Sequence, residues 1–397
     1  MKCINLVKLP LFIMLLVSLV VGMGTIRDSA AAENKAWVIG VANYPDIDEW
    51  SVAVYTSMKW YAEDHNIILK RVTGGGQFTG EMQLKNAKQL LEIGGIDGLI
   101  LQPTSPATAA GIVDLANEKG IPVIGYEYPT FSSGLLLHVG VSLYEMGQTA
   151  GEATRKMLIE KFGKPQGTVL VLEGNPSNAA EHTRAVAFKA VFKDDPDVII
   201  KSIVTPIISI EKATIAVGAW LAAGKDLDAA WGATPGLILG IVEALRKHGV
   251  DPSTKILVAN DGEFLILDYI RQGVIKATTD QPVPFYGPIA LKYMIDHLEG
   301  RPIPKVGSTI TYGDGPNQLD IKGNKHLGID PWDKDEESIL PAAIVDWATV
   351  AQLQTEETGF TFPWFKTGVP LITKENVDSS AWWGNLPIDW ASAIRSE

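Results

Sequence analysis

The chain is 397 residues long, 46% hydrophobic and 20% charged, with a formal net charge of −12. That composition excludes a disordered protein, and the length exceeds one ordinary core, so two domains are expected. The acidic balance, without any block of basic residues, excludes a nucleic-acid or anionic-membrane surface, because phosphates would be repelled.

In chain order, the first segment stands apart. Lys2 and Lys8 flank the start, Leu9 to Val21 is almost wholly apolar, and Ser29-Ala30-Ala31-Ala32 supplies small residues before Glu33. This order predicts a secretory signal peptide over 1–32, since the apolar stretch falls short of the roughly 20 residues needed to cross a bilayer. Cys3, the only cysteine, lies inside this leader and ahead of its apolar core, so lipid attachment there is not expected. The exported chain would have no disulfide and must rely on a large core.

From Trp37 onward, short β-branched or aliphatic runs alternate with amphipathic segments. "WVIGVAN" (37–43) precedes a helix through Glu63. "IILKRV" (67–72) precedes "GEMQLKNAKQLLEIGG", "DGLILQP" (97–103) precedes "SPATAAGIVDLANEKG", and "IPVIGY" ends the series at Tyr126. Apolar spacing near 3.6, as in Leu84, Ala87, Leu90 and Leu91, marks the helices. Gly74 to Gly76 reads as a strand-to-helix turn. The rhythm restarts after "LLHVGVS" and a helix over 142–162. Strands at 167–174, 197–204, 229–234, 255–261 and 274–281 then alternate with helices over 178–193, 210–223, 236–248 and 263–271. Strand, helix, strand at this rhythm means a parallel sheet covered on both faces, so an α/β chain of two doubly wound lobes with a cleft between them is expected.

In such sheets ligands sit beyond the carboxyl ends of the strands. The residues there are Asn43 with Tyr44, Gln102, Tyr126 to Tyr128, Glu173, Thr234, Asp261 and Gln281. A single polar residue at a strand end is usually a loop start or helix cap, whereas a set drawn from both lobes points to a ligand cleft. Glu127, between Tyr126 and Tyr128, is then expected to line it.

The phrases "GIDGLILQPTSPATAAGIVDLANEKGIPVIGYE", "HVGVSLYEMGQTAGE", "AAEHTRAVAFKA", "ILVANDGE" and "ATTDQPVPFYG" together resemble the type I periplasmic solute-binding proteins, in their ribose-binding branch. The similarity runs over roughly 37–310 and resumes at 368–378. It implies two Rossmann-like lobes joined by a three-crossing hinge, 33–141 plus 282–308 in one and 142–281 plus 309–397 in the other. It also implies that Trp50 stacks on the ligand, that Glu127 stands for an aspartate binding sugar hydroxyls, and that Tyr128 and His182 replace ligand-facing arginines. Arg184 matches a more structural arginine, Thr234 stands where asparagine is common, and Asp261 and Gln281 match directly. The pocket expected on this resemblance is acidic, with Glu181 and Glu263 as further carboxylates and no fixed cation. Such a pocket suits sugar or polyol hydroxyls, and equally an amine held by cation–π attraction of about 0.5 to 2 kcal/mol per ring. The competing residue readings are Trp50 as a core aromatic, Glu127 as a turn carboxylate and Asp261 as a helix cap.

Residues 311–367 have no counterpart in the family. This segment is expected to carry a short helix at "LPAAIVDWATVAQL" and to cover the second lobe, while "SSAWWGNLPIDW" adds apolar anchors. No cofactor or metal site is expected: His65, His138, His182, His248, His297 and His326 show no ligand spacing, and neither a phosphate loop nor a nucleophile elbow is present. A repressor role is not expected for an exported chain with no helix-turn-helix before Trp37. The resemblance therefore implies no enzyme but a monomeric periplasmic receptor. Its partner would be an ABC transporter permease or, in the alternative, a sensor kinase that reads a methylamine or furanosyl signal.

Overall fold

The computed structural model describes residues 36–390 except 47, 74–78, 94, 131, 177, 206–208, 313–317, 320–341 and 354–358. The expected leader with Cys3, the Gly74 to Gly76 turn, and the part of the 311–367 segment that holds His326 lie outside the described residues.

Strands β1 (Trp37–Ala42), β2 (Ile67–Val72), β3 (Gly98–Leu101), β4 (Val123–Tyr126) and β5 (Leu137–Gly140) run parallel, interleaved with α1 (Glu49–Asp64), α2 (Gly80–Ile93) and α3 (Pro106–Glu118). After α4 (Leu143–Phe162) a second parallel set follows: β6 (Gly167–Glu173), α5 (Ala179–Ala190), β7 (Val198–Val204), α6 (Ile210–Ala222), β8 (Ala229–Gly232), α7 (Pro235–Lys247), β9 (Ile256–Ala259), α8 (Phe264–Arg271) and β10 (Ala277–Thr279). The central strands β3, β4, β8 and β9 are buried along their whole length, while the edge strand β7 is half-buried or exposed throughout. That contrast follows from helices covering both faces of the sheet centre but not its margin.

The helices begin where the sequence supplies caps. Ser105 accepts from the Thr108 N–H ahead of α3, Ser142 from Glu145 ahead of α4, and Asn178 from Ala180 and Glu181 ahead of α5. Asp48 and Ser51 form a reciprocal capping box at α1. Each cap satisfies an amide that the first turn leaves open. Each also lies at the carboxyl ends of the strands, which draws polar side chains to that end of both lobes.

The later chain departs from expectation. α9 (Tyr286–Leu298) packs on the first lobe, and β11 (Thr309–Tyr312), β12 (Gln318–Leu319), β13 (Ala342–Asp346) and β14 (Pro363–Lys366) extend the first sheet through the parallel pairing of β14 with β5. The 311–367 segment was expected on the second lobe; its described strands belong to the first. The helix expected over 340–353 is half strand, because β-branched Ile344 and Val345 join β13 before α10 (Trp347–Leu353) starts. Phe362 and Trp364 pack on His138 with ring centroids 5.6 and 6.1 Å away, and Trp347 lies 5.5 Å from both of them, in the apolar cluster on one face of the first sheet.

Only β15 (Leu371–Thr373) and the turn after it join the second lobe, with β15 antiparallel to β10. Trp382 then lies in the second core, whereas Trp383 and Trp390 lie in the first, the latter 5.9 Å from Trp60. The described chain therefore passes between the lobes four times, after β5, β10, β14 and β15, where three passages were expected.

Gly147 fixes how closely α4 and α5 meet. A Cβ there would sit 2.9 Å from Cα of Arg184 and closer still to its carbonyl. Gly147→Ala should destabilise the protein by about 1–3 kcal/mol through overpacking. Urea unfolding would check this, and an unchanged midpoint would show that the helices tolerate a wider spacing.

Candidate functional site

In the first lobe the strand ends deliver a connected polar set. The Gln102 amide, just past β3, donates to Glu127 Oε2 at 2.6 Å, while its carbonyl accepts from the Tyr126 hydroxyl and the Tyr44 N–H, each at 3.1 Å. Arg71 clamps the loop after β1, reaching Asn43 Oδ1 at 2.8 Å, the Tyr44 carbonyl at 2.7 Å and both oxygens of Asp46. Glu127 adopts φ 64° and Asp261 φ 76°, left-handed conformations unusual for residues with a side chain. One such acid closes a central strand in each lobe. The positive φ turns each carboxylate away from the path of its strand.

In the second lobe Arg184, 3% exposed, grips Asp261 through both terminal nitrogens, at 3.0 and 3.1 Å. The Gln281 amide adds a 2.5 Å hydrogen bond to Asp261, and the Tyr286 hydroxyl of α9 donates to Gln281 Oε1 at 2.8 Å. This chain runs from a first-lobe helix through the β10 crossing to α5. Tyr286 also lies 6.4 Å from both Trp50 and Tyr126.

Burial sets the charge states. It pushes the Glu127 carboxyl up to about 8, against the pull of Arg184 and Gln102. It pushes Glu181 up to about 7 as well, against the Asn175 N–H and Arg184. Burial likewise raises the phenols of Tyr44, Tyr128 and Tyr286, which stay protonated as hydrogen-bond donors. Burial also opposes the Arg184 cation, yet Asp261, Tyr128 and Glu127 around it hold its pKa above the ordinary value.

Several buried polar atoms of this region have no partner within the protein: Trp50 Nε1, Arg184 Nε, Glu181 Oε1 and Thr234 Oγ1. Thr234 stands at the N-cap of α7 but its hydroxyl does not cap the helix. An unsatisfied buried polar atom costs about 1–3 kcal/mol. Beside Glu127 lies a small hollow of about 20 Å³, room for about one water molecule, lined by His138 and Trp364 on one side and Leu143, Ala179 and Thr183 on the other. Among the described residues no group of three His, Cys, Asp or Glu is arranged to hold a metal ion.

The structure places Glu127, Thr234, Asp261 and Gln281 just past the carboxyl ends of strands in the two lobes, while Trp50 and Tyr128 are buried in apolar clusters, Trp50 beside Tyr286 and Tyr128 with Val141, Leu143 and Ala180. His182 does not join them. It is exposed on α5 beside Glu173, because Glu181 and Arg184, three residues apart, share the buried face of that helix and residue 182 falls off it. Arg184, which the resemblance implies to be structural, is buried and bidentate on Asp261, so a fixed cation stands beside one of the expected carboxylates. Gln102, Tyr44 and Tyr286 were not singled out as site residues. The first two were visible only as strand-end polar residues, and Tyr286 gave no signal because its partner Gln281 is set by tertiary packing.

Removing one partner of a buried ion pair typically costs about 3–5 kcal/mol. Arg184→Met should show a loss of this size in chemical denaturation, and the double variant Arg184→Met/Asp261→Asn should recover part of it; equal loss in both would mean the pair is not the cause. Because Glu127 and Glu181 hold their protons above the ordinary 4.5, the folded state binds more protons than the unfolded chain between pH 4.5 and about 8. Ligand-free stability should therefore fall as pH rises through that window. Thermal melts of Glu127→Gln should show a shallower fall than those of the parent protein.

Residues 39–302 match the family model described as a periplasmic binding protein domain. The ribose import binding protein of Bacillus subtilis is 23% identical over 237 residues, covering 60% of this chain and 74% of that relative. A D-ribose/D-allose-binding protein of Pseudomonas aeruginosa is 24% identical over 238 residues, covering 59% and 73% respectively. Among solved structures, an ABC transporter solute-binding protein from Bacillus halodurans with bound myo-inositol superposes with a TM-score of 0.66 at 16% identity, over 88% of this chain and 99% of that one. The binding protein of the arabinose ABC transporter from Shewanella sp. ANA-3, bound to L-arabinofuranose, gives 0.65 at 18% identity, over 91% and 98%. Two lobes of mostly parallel sheet, polar strand ends facing one another and a family match across both lobes lead to one assignment: the chain belongs to the periplasmic binding proteins.

Proposed function

We propose that this protein is an exported receptor that captures a small polyhydroxylated solute, a sugar or polyol, between its lobes and presents the closed form to the permease of an ABC importer. The observation that carries this reading is the set of buried, unpartnered polar atoms contributed by both lobes. Trp50 Nε1 and Arg184 Nε are donors without acceptors, Glu181 Oε1 is an acceptor without a donor, and Thr234 Oγ1 is able to serve as either. A guest bearing several hydroxyls, each both donor and acceptor, suits such a mixed set better than a purely anionic or purely apolar one. Aromatic rings of Trp50, Tyr44 and Tyr128 supply the apolar cover that a sugar ring face requires.

Binding across two lobes favours the closed state by the guest's differential affinity for it, and the permease then reads the closed form. The names of the relatives support an importer over a sensor kinase as the membrane partner. Family proteins bind and transport solutes, and this chain is read as a binder and not an enzyme. It would act as a monomer outside the cytoplasmic membrane once the leader is removed.

A thermal-shift screen over pentoses, hexoses and polyols tests the reading, because a ligand bound only by the native state adds about 2.7 kcal/mol at a hundred times its Kd. At least one of these solutes should raise the melting temperature. Trp50→Ala and Asp261→Ala should each lose most of that shift, and full retention in both would remove the cleft from consideration.

A further inference from the structure

The cleft contains more acid than its arginine neutralises. Arg184 commits both terminal nitrogens to Asp261 and turns one of them also to the Ala233 carbonyl. Glu127, 5% exposed, has the neutral Gln102 amide as its side-chain donor, and Glu181, 2% exposed, has the Asn175 N–H. Among the described residues neither carboxylate accepts a hydrogen bond from a cation.

Glu181 is also held in a built position. Gly174 leaves the space that Oε2 fills, and a Cβ at 174 would overlap that oxygen. With Oε2 fixed on Asn175, Oε1 is left buried and unpartnered, and the adjacent Ala180 packs in one cluster with Tyr128, against which Tyr44 lies. Tyr44 and Tyr128 meet edge to face, with ring centroids 6.1 Å apart and planes at 66°, so that the pair presents an aromatic corner. An aromatic face next to a carboxylate attracts a cation twice over, by the ring quadrupole and by charge.

We propose that this corner is a subsite for a protonated amine, so that the solute is an amino sugar or amino polyol and not its neutral parent. The inference rests on the sugar-or-polyol reading of the cleft and narrows it. A hydroxyl, both donor and acceptor, pairs Glu181 Oε1 in either protonation state, whereas an ammonium pairs the atom and also supplies the positive charge that Arg184, committed to Asp261, does not. Arg184, the cation nearest to it, is already neutralised by Asp261.

The test is calorimetric titration of the full chain with 2-amino-2-deoxyhexoses and 1-amino-1-deoxyhexitols, beside their parent sugars and polyols and their N-acetyl forms. At least one amine should bind about tenfold or more tighter than both its parent and its acetylated form. In Glu181→Gln the ratio of amine to parent affinity should fall to near one, whatever happens to absolute affinity; Tyr128→Leu should lower the same ratio should the first variant not fold. Parents that bind as tightly as every amine would overturn the subsite and leave the sugar reading standing. An amine preference that survives in the folded variants would overturn the assignment to Glu181 and its corner. If no compound in the panel binds, both readings fall.

Discussion

The contact between Arg184 and Asp261 places a full ion pair where water is excluded, and the surrounding site is arranged to keep it there. A guanidinium keeps its proton at any working pH, so its burial is tolerated only with a carboxylate in bidentate geometry and further polar contacts. Asp261 provides the first, and the Ala233 carbonyl and the Gln281 amide provide the second. From Gln281 the chain continues to the Tyr286 hydroxyl on a first-lobe helix. The group that anchors the second lobe's half of the cleft is thereby connected to the first lobe. On the proposed reading of the cleft, closure and recognition would share these atoms.

The two left-handed acids show how the backbone serves this arrangement. Glu127 and Asp261 each follow a buried central strand, and a continued extended backbone would point their side chains to one or the other face of the sheet, under its covering helices. A positive φ turns them instead toward Gln102 and toward Arg184 with Gln281, with Val139 accepting the Glu127 N–H and Trp383 donating to the Asp261 carbonyl to hold the turn. Strained backbone of this kind persists only where surrounding contacts over-determine it, and such places cluster at ligand clamps.

Much of the fold was legible in the sequence because period and punctuation agree there. The strand and helix alternation from Trp37 to Gln281 follows from short aliphatic runs, 3.6-residue spacing and Ser, Asp or Asn caps, all of which act locally. The later chain was not legible in the same way. Nothing in "FPWF" states that β14 will pair with β5, because pairing is decided by the edge that is free and not by the segment itself. The site divides similarly. Asp261 and Gln281 were readable as polar residues at strand ends, whereas the choice between His182 and its neighbours on α5 depends on a helix phase that a residue or two of boundary uncertainty reverses. The role of Arg184 was underrated for the same reason: its partner lies 77 residues away and no local spacing announces it.

Three of the passages between the lobes are tied into one unit. The Thr367 N–H donates to the Gly140 carbonyl, and the Asp280 N–H donates to the Pro370 carbonyl, so the crossings after β5, β10 and β14 must bend together. The fourth passage lies apart from them, at adjacent tryptophans that belong to different cores. Trp382 is seated in the second lobe, and Trp383 in the first. The Trp383 indole donates to the Asp261 carbonyl at 2.7 Å, and Gly384 lies so close to the Gly262 carbonyl that a Cβ there would overlap it. A motion that draws the first lobe away from Asp261 must therefore break this hydrogen bond or flex the Trp382–Trp383 link. The C-terminal segment, which no family pattern announced, is by this geometry a second restraint on opening, attached to the same residue that holds Arg184.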